Sequence, residues 1–341
     1  MRRIFAGMMR AAIRMACLLA LAGSHALHAD EPTQPATGFG ERLDHLHDRL
    51  FERMQSLLRG FDTGLSKSGE APLLVPVSPI RIGFDATTLH ADRGLTTVAS
   101  PDFEANVRLP NIERRLTLFI SSADLPESSL SATGERNPVR AGIRLPLPEH
   151  VTFDIGVRIK LRPVAFAALR WMRTYEMGSV RVQPFVKPYV ESGLGVGASG
   201  GLSVEHWHER WLLRLASYAN WSRDNAATDW SQTLVFGHAR AMIQEGRNDR
   251  LSSGHDLGCG VLLVATASGS RLARASAYEA GLVFKRPLRG GWLFAYAEPL
   301  VRWEHDSGWH PDAGIRVGLD ALFWGLSSLP AAVAGQCRQG S

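Results

Sequence analysis

Residues 151–161 read VTFDIGVRIKL. Val151, Phe153, Ile155, Val157, Ile159 and Leu161 fall on one face of an extended chain. Thr152, Asp154, Gly156, Arg158 and Lys160 fall on the other. Side chains alternate across a strand, so this segment predicts a strand that is apolar on one side and charged on the other. Alone it fits a half-buried strand of any sheet.

The pattern recurs on both sides of it. Ile80, Ile82 and Phe84 alternate with Arg81, Gly83 and Asp85; Phe103, Ala105 and Val107 alternate with Glu104, Asn106 and Arg108. Val139, Ala141 and Ile143 alternate with Arg140, Gly142 and Arg144, and Val180, Val182 and Val186 with Arg181, Gln183 and Lys187. Further strands are read near 194–206, 211–221, 231–242, 257–267, 271–285, 292–304 and 313–324. The reading gives about 14 strands, or 12 if the weaker ones merge, an even number as closed bacterial barrels require. No run of 18 apolar residues follows the N-terminal segment, so helical spans are not expected.

The N-terminal segment reads as an export signal. Arg2, Arg3, Arg10 and Arg14 precede the short apolar core MACLLALAG at 15–23, and Ala29 is the expected cleavage point. Those four arginines carry most of the net charge of +5, and without them it is about +1 (5 − 4), so no nucleic-acid partner is implied. Cys259 and Cys337 remain after cleavage and could pair in an oxidising compartment.

These features predict an all-β chain: a transmembrane antiparallel up-and-down β-barrel over residues 80–324, preceded by a short amphipathic helix. Residues 1–29 are the signal, and 30–79 form a periplasmic leader with a helix at 41–60 and a Pro-rich linker. A tail follows at 325–341. In the helix, Leu43, Leu46, Leu50, Met54, Leu57 and Phe61 recur at spacings of three and four. That seam suits packing on or plugging the barrel mouth, self-association, or an envelope partner. Outer loops are expected at 91–102, 123–137, 222–230 and 305–311, with short inner turns between them and one long inner exception at 244–256. Trp171, Tyr175, Trp207, Trp211, Trp221, Trp230, Trp292, Trp303, Trp309 and Trp324 are expected in two interfacial girdles.

The final strand, GIRVGLDALFW at 314–324, resembles the aromatic-ended targeting strand of outer-membrane barrels, although a tail follows it. The stretches RLTLFISSADLPE, RWLLRLASYANW and ASAYEAGLVFKRPL also resemble such proteins. The layout is similar to an uncharacterised proteobacterial outer-membrane β-barrel family with a signal, a short periplasmic helix and a barrel. The resemblance implies export by the general secretory route, contact with outer-membrane lipid and with the barrel-assembly machinery, and a place in the outer membrane of a Gram-negative bacterium. It carries over no activity.

Chemistry-bearing motifs are weak. His206 and His208 share a strand face as two metal ligands would, without an evident third ligand. His255–Asp256 and His305–Asp306 could be halves of a hydrolase dyad only if their loops bend. The glycines of GLGVG at 193–197 lack the helix that a nucleotide loop needs and instead leave room for a bulky neighbour such as Tyr189 or Phe185. No catalytic, metal or cofactor residue is assigned.

The expected working residues are the interior charges: Arg108, Arg140, Arg144, Asp154, Arg158, Lys160, Arg181, Lys187, Glu191, Glu298, Arg302, Arg316 and Asp320. Asp85, Glu104 and Glu279 accompany them. They must be paired or wetted. The leading expectation is therefore a non-enzymatic barrel, either a pore for small solutes or an envelope structural protein. An outer-membrane hydrolase acting on lipid or peptide and a soluble periplasmic β-protein are the alternatives.

Overall fold

The computed structural model describes residues 39–65, 80–91, 94–109, 116–121, 139–159, 163–193, 195–223, 228–242, 257–270, 274–289 and 292–323. The expected signal, the Pro-rich linker, the C-terminal tail, Lys160, Trp324 and the His255–Asp256 pair lie outside them.

Among the described residues, one helix, α1 (Phe39–Leu65), precedes the strands. It begins earlier and runs longer than the 41–60 read from the sequence. The strands are β1 (Ile80–Ala91), β2 (Gly94–Leu109), β3 (Leu116–Ser121), β4 (Val139–Pro146) and β5 (Val151–Ile159). Next is β6 (Val164–Met172, resuming as Tyr175–Met177), followed by β7 (Val180–Glu191), β8 (Gly195–His208), β9 (Trp211–Ser222) and β10 (Thr228–Met242). Then come β11 (Leu257–Gly269), β12 (Ala277–Arg289), β13 (Leu293–Glu304) and β14 (Pro311–Phe323).

Each strand pairs antiparallel with its neighbours in sequence, and β1 pairs with β14, from Ile80 opposite Phe323 to His90 opposite Ala313. Both pieces of β6 keep one register against β7, from Phe166 opposite Glu191 to Met177 opposite Val180. They therefore form one stave, and the barrel closes with 14 strands. The break falls at Arg173 and Thr174, opposite Pro184 and Gln183. Proline has no N–H to give the ladder. The Gln183 side chain donates to Thr174 Oγ1 instead, at 3.1 Å.

Two alternating faces result. Ile82, Phe84, Ile155, Val186, Leu263 and Phe284 are exposed on the outside. Their sequence neighbours Arg81, Asp154, Lys187, Leu262 and Lys285 are buried on the inside. An apolar belt around a closed sheet with a charged interior is a transmembrane β-barrel, and it excludes the soluble alternative.

Three expectations are corrected. Residues 94–102 belong to β2 rather than to an outer loop; Gly94, at φ +108°, already pairs with Ala91 at the end of β1. Their polar sequence hides the strand, yet Thr88 and Thr97 face each other with hydroxyls 3.1 Å apart. The twelfth strand starts at Ala277, not Arg271. Trp207 belongs to no girdle: it shares the inward face with Glu205, and its Nε1 donates to Glu205 Oε1 at 2.5 Å. β10 ends and β11 starts at the end of the barrel where β1 begins, because the strand count before them holds.

Within the barrel unit, His47 and Phe51 of α1 rest on the outside of the rim. Phe51 is buried against Ile80, Ala105 and Phe323. Ile80 and Phe323 have the parity of the exposed Ile82 and Ile315, so this is the outward face. His47 stacks between Trp292 and Phe323, with ring centroids 4.4 and 4.7 Å away, and its Nε2 donates to the Leu322 carbonyl at 3.1 Å. This seat is not that of a plug.

Candidate functional site: the charged interior

Polar inward positions of successive strands meet across the ladder, so opposite charges on neighbouring strands fall within reach. On the wall made by β12, β13, β14, β1 and β2 they form two tiers. Nearer the end where β1 begins, Asp320 accepts from Arg81 Nη2 at 2.7 Å and from Lys285 Nζ at 2.5 Å. Asp102 lies 3.7 Å from Arg81 Nη1. Farther along, Arg316 donates to Glu298 at 2.7 Å, to Glu279 at 3.0 Å and to Thr87 Oγ1 at 3.1 Å. Glycines make room for this: a Cβ at Gly83 would crowd Asp320, and one at Gly281 would strike the Glu298 side chain.

The wall made by β4 to β7 is also tiered. Arg144 grips Asp154 with two bonds of 2.8 and 3.0 Å, and Arg170 Nη2 stands 3.9 Å from the same carboxylate. Toward the other end, Glu191 is held by Arg158 at 2.6 Å, with Arg140 at 3.7 Å. Arg140 and Arg144 also lie over the rings of Phe166 and Phe119, at 5.3 and 5.2 Å. Lys187 is buried on this wall. Between the two walls Glu205 takes Arg214 at 2.7 Å, with Arg181 at 3.8 Å, above a buried apolar cluster of Leu212, Val235, Leu262 and Val283.

Of the charges read from the sequence, Arg140, Arg144, Asp154, Arg158, Arg181, Lys187, Glu191, Glu298, Arg316 and Asp320 therefore line the inside. Arg302 also lies there, 2.7 Å from Glu304. Arg108 sits on β2 opposite Thr117, and its side chain lies outside the described residues. The reading omitted Arg81, Asp102, Arg170, Glu205, Arg214 and Lys285. The alternation that placed Asp154 inside would have placed these too, since each occupies an inward position on its strand.

Charge is unevenly distributed. On the β4–β7 wall stand Arg140, Arg144, Arg158, Arg170, Arg181 and Lys187 against Asp154, Glu176 and Glu191, six cations to three carboxylates among the described side chains. On the β12–β2 wall stand Arg81, Lys285, Arg302 and Arg316 against Asp85, Asp102, Glu104, Glu279, Glu298, Glu304, Asp312 and Asp320, four to eight among the described side chains. The two walls lie on different sides of the ring, so a field crosses the interior.

The histidine motifs take no part. His206 faces outward beside Ser179 Oγ at 3.1 Å, and His208 is exposed. His305 and Asp306 do bend into contact, at 3.5 Å, in a short 3-10 turn, but Asp306 is open to water and His305 Nε2 is occupied by Arg274 at 2.9 Å. Among the described residues, no group of three His, Cys, Asp or Glu is placed to hold a metal ion. In the GLGVG segment, the Tyr189 ring fills the space that a Cβ on Gly197 would take.

No family model and no curated relative matches the chain. Solved structures with a similar fold include OccK2 (OpdF) of Pseudomonas aeruginosa, at 10% identity and a TM-score of 0.42 over 73% of this chain and 98% of that one. OccAB4 of Acinetobacter baumannii gives 8% identity and a TM-score of 0.38 over 74% and 99%. An anion-selective porin from Comamonas acidovorans gives 8% and 0.37 over 72% and 99%. Overlap at this level carries no argument about this chain's work.

Proposed function

We propose that this chain is a non-enzymatic outer-membrane barrel that passes small polar solutes through a narrow, charge-lined interior. The observation that carries the reading is the segregation of charge between two walls inside a 14-stranded barrel. A barrel of this size encloses more room than its side chains need, whereas an eight-stranded one is filled by them. Fixed charges on the walls offer a solute replacements for its hydration shell. The export-type N-terminus and the aromatic-ended last strand support delivery to the outer membrane through the general secretory route and the assembly machinery. Outer-membrane lipid is then the partner of the apolar belt.

Purified protein in a planar bilayer should give stepwise conductance. One observation favours a second reading, a closed envelope barrel: Asp320, Glu298, Asp154 and Glu191 are only 1–3% exposed, so the pairs crowd the interior. A flat trace from protein that still migrates heat-modifiably on gels would decide for that reading. The hydrolase alternative would need lipid or peptide hydrolysis that Ala at His206 or His305 abolishes.

A further inference from the structure

We infer that α1 from His47 onward is a membrane-interface element, seated beside the barrel with its open apolar edge in the acyl chains of the periplasmic leaflet. The inference rests on the outer-membrane reading above. Around the helix axis, successive residues are 100° apart. His47 and Phe51 mark the arc covered by the barrel rim. Leu50 lies about 100° to one side of Phe51, is 41% exposed, and is not among the residues packed around Phe51. Asp48 and Glu52 lie to the other side, and Arg49 and Arg53 behind. The apolar arc is thus wider than its seat on the protein.

The seat itself identifies what covers the remainder. Phe51 touches Ile80 and Phe323, the terminal outward-facing residues of β1 and β14, and Ala105, which stands opposite Ile80 on β2. Two residues further into the barrel on the same face, Ile82 is exposed to lipid. The helix surface beside Phe51 is therefore continuous with the belt. Trp292, the aromatic residue stacked on His47, is one of those the sequence assigns to an interfacial girdle, the depth that indole rings favour. A helix at this level with one apolar edge and one charged edge lies in the interface plane. The occupant is phospholipid, not a second chain, because the open edge meets the same solvent as the belt it joins.

The test uses the full mature chain, unreduced so that the disulfide at Cys259 stays closed. A bimane label is placed on Leu50→Cys or, as a control in mid-belt, on Leu263→Cys. Each protein is reconstituted into phosphatidylcholine vesicles brominated either near the headgroup or near the chain end. Label 263 should be quenched most by the deep bromines and label 50 at least twofold, most by the shallow ones. If label 263 is not quenched, the membrane reading itself fails. If label 263 is quenched and label 50 is not, the helix inference is overturned while the barrel stands. Excimer emission from pyrene at position 50 would likewise overturn it in favour of a second copy.

Discussion

At the residue scale, the interior stands or falls with its pairs. A buried charge robbed of its partner keeps its desolvation cost and loses its compensation, so the loss is about 3–5 kcal/mol. Arg316 is the sharpest case, since it serves both Glu298 and Glu279. Arg316→Met should destabilise the folded barrel by that order and so lower its urea midpoint, and adding Glu298→Gln should recover part of the loss. Equal midpoints for parent and variant would mean that water, not Arg316, solvates Glu298. A second residue-scale prediction concerns Gly318. A Cβ there would collide with the Tyr296 ring, so Gly318→Ala should cost about 1–3 kcal/mol by overpacking. In a Tyr296→Ala background the same change should cost almost nothing, a coupling that a double-mutant cycle reads directly.

The element scale shows what could be read in advance and what could not. Val151–Ile159 announces itself, because lipid on one side and charge on the other force strict alternation. Residues 94–102 do not, because Thr96, Thr97, Ser100 and Asp102 carry no apolar period. Only Gly94 at the turn hints that the chain reverses there. Inward positions were legible for Arg140 or Asp320 from parity alone, but which cation meets which carboxylate was not. That depends on register between strands as distant in sequence as β1 and β14, where Arg81 meets Asp320. The helix was legible as amphipathic, while its seat outside the rim follows from contacts across the fold. Cys259 adds a prediction at this scale. It is disulfide-bonded, and its partner lies outside the described residues. Of the two other cysteines, Cys17 falls in the expected signal, leaving Cys337 in the mature chain. Peptide mapping of unreduced mature protein should recover a Cys259–Cys337 cross-link. Recovery of both cysteines alkylated without reduction would contradict it.

At the scale of the whole molecule, the question is whether solutes feel the charge on the walls. The β4–β7 wall holds six cations to three carboxylates, and the other wall four to eight. Such an arrangement acts through its field, and a field in water is screened by salt. The Debye length is about 10 Å at 0.1 M and about 3 Å at 1 M. Selectivity that arises from these walls must therefore shrink as salt rises, whereas selectivity set by the width of the passage must not. In a bilayer under a fixed salt gradient, the reversal potential should be clearly displaced from zero near 0.1 M and collapse toward zero near 1 M. The two walls also predict opposite responses. Replacing Arg144 and Arg170 by Gln should shift the reversal potential toward cations, and replacing Glu279 and Glu298 by Gln should shift it toward anions. Both shifts should fade at high salt, because only the field has changed and not the bore. A reversal potential that ignores salt and moves the same way for both variants would place selectivity in the width of the passage and remove the charged walls from the mechanism.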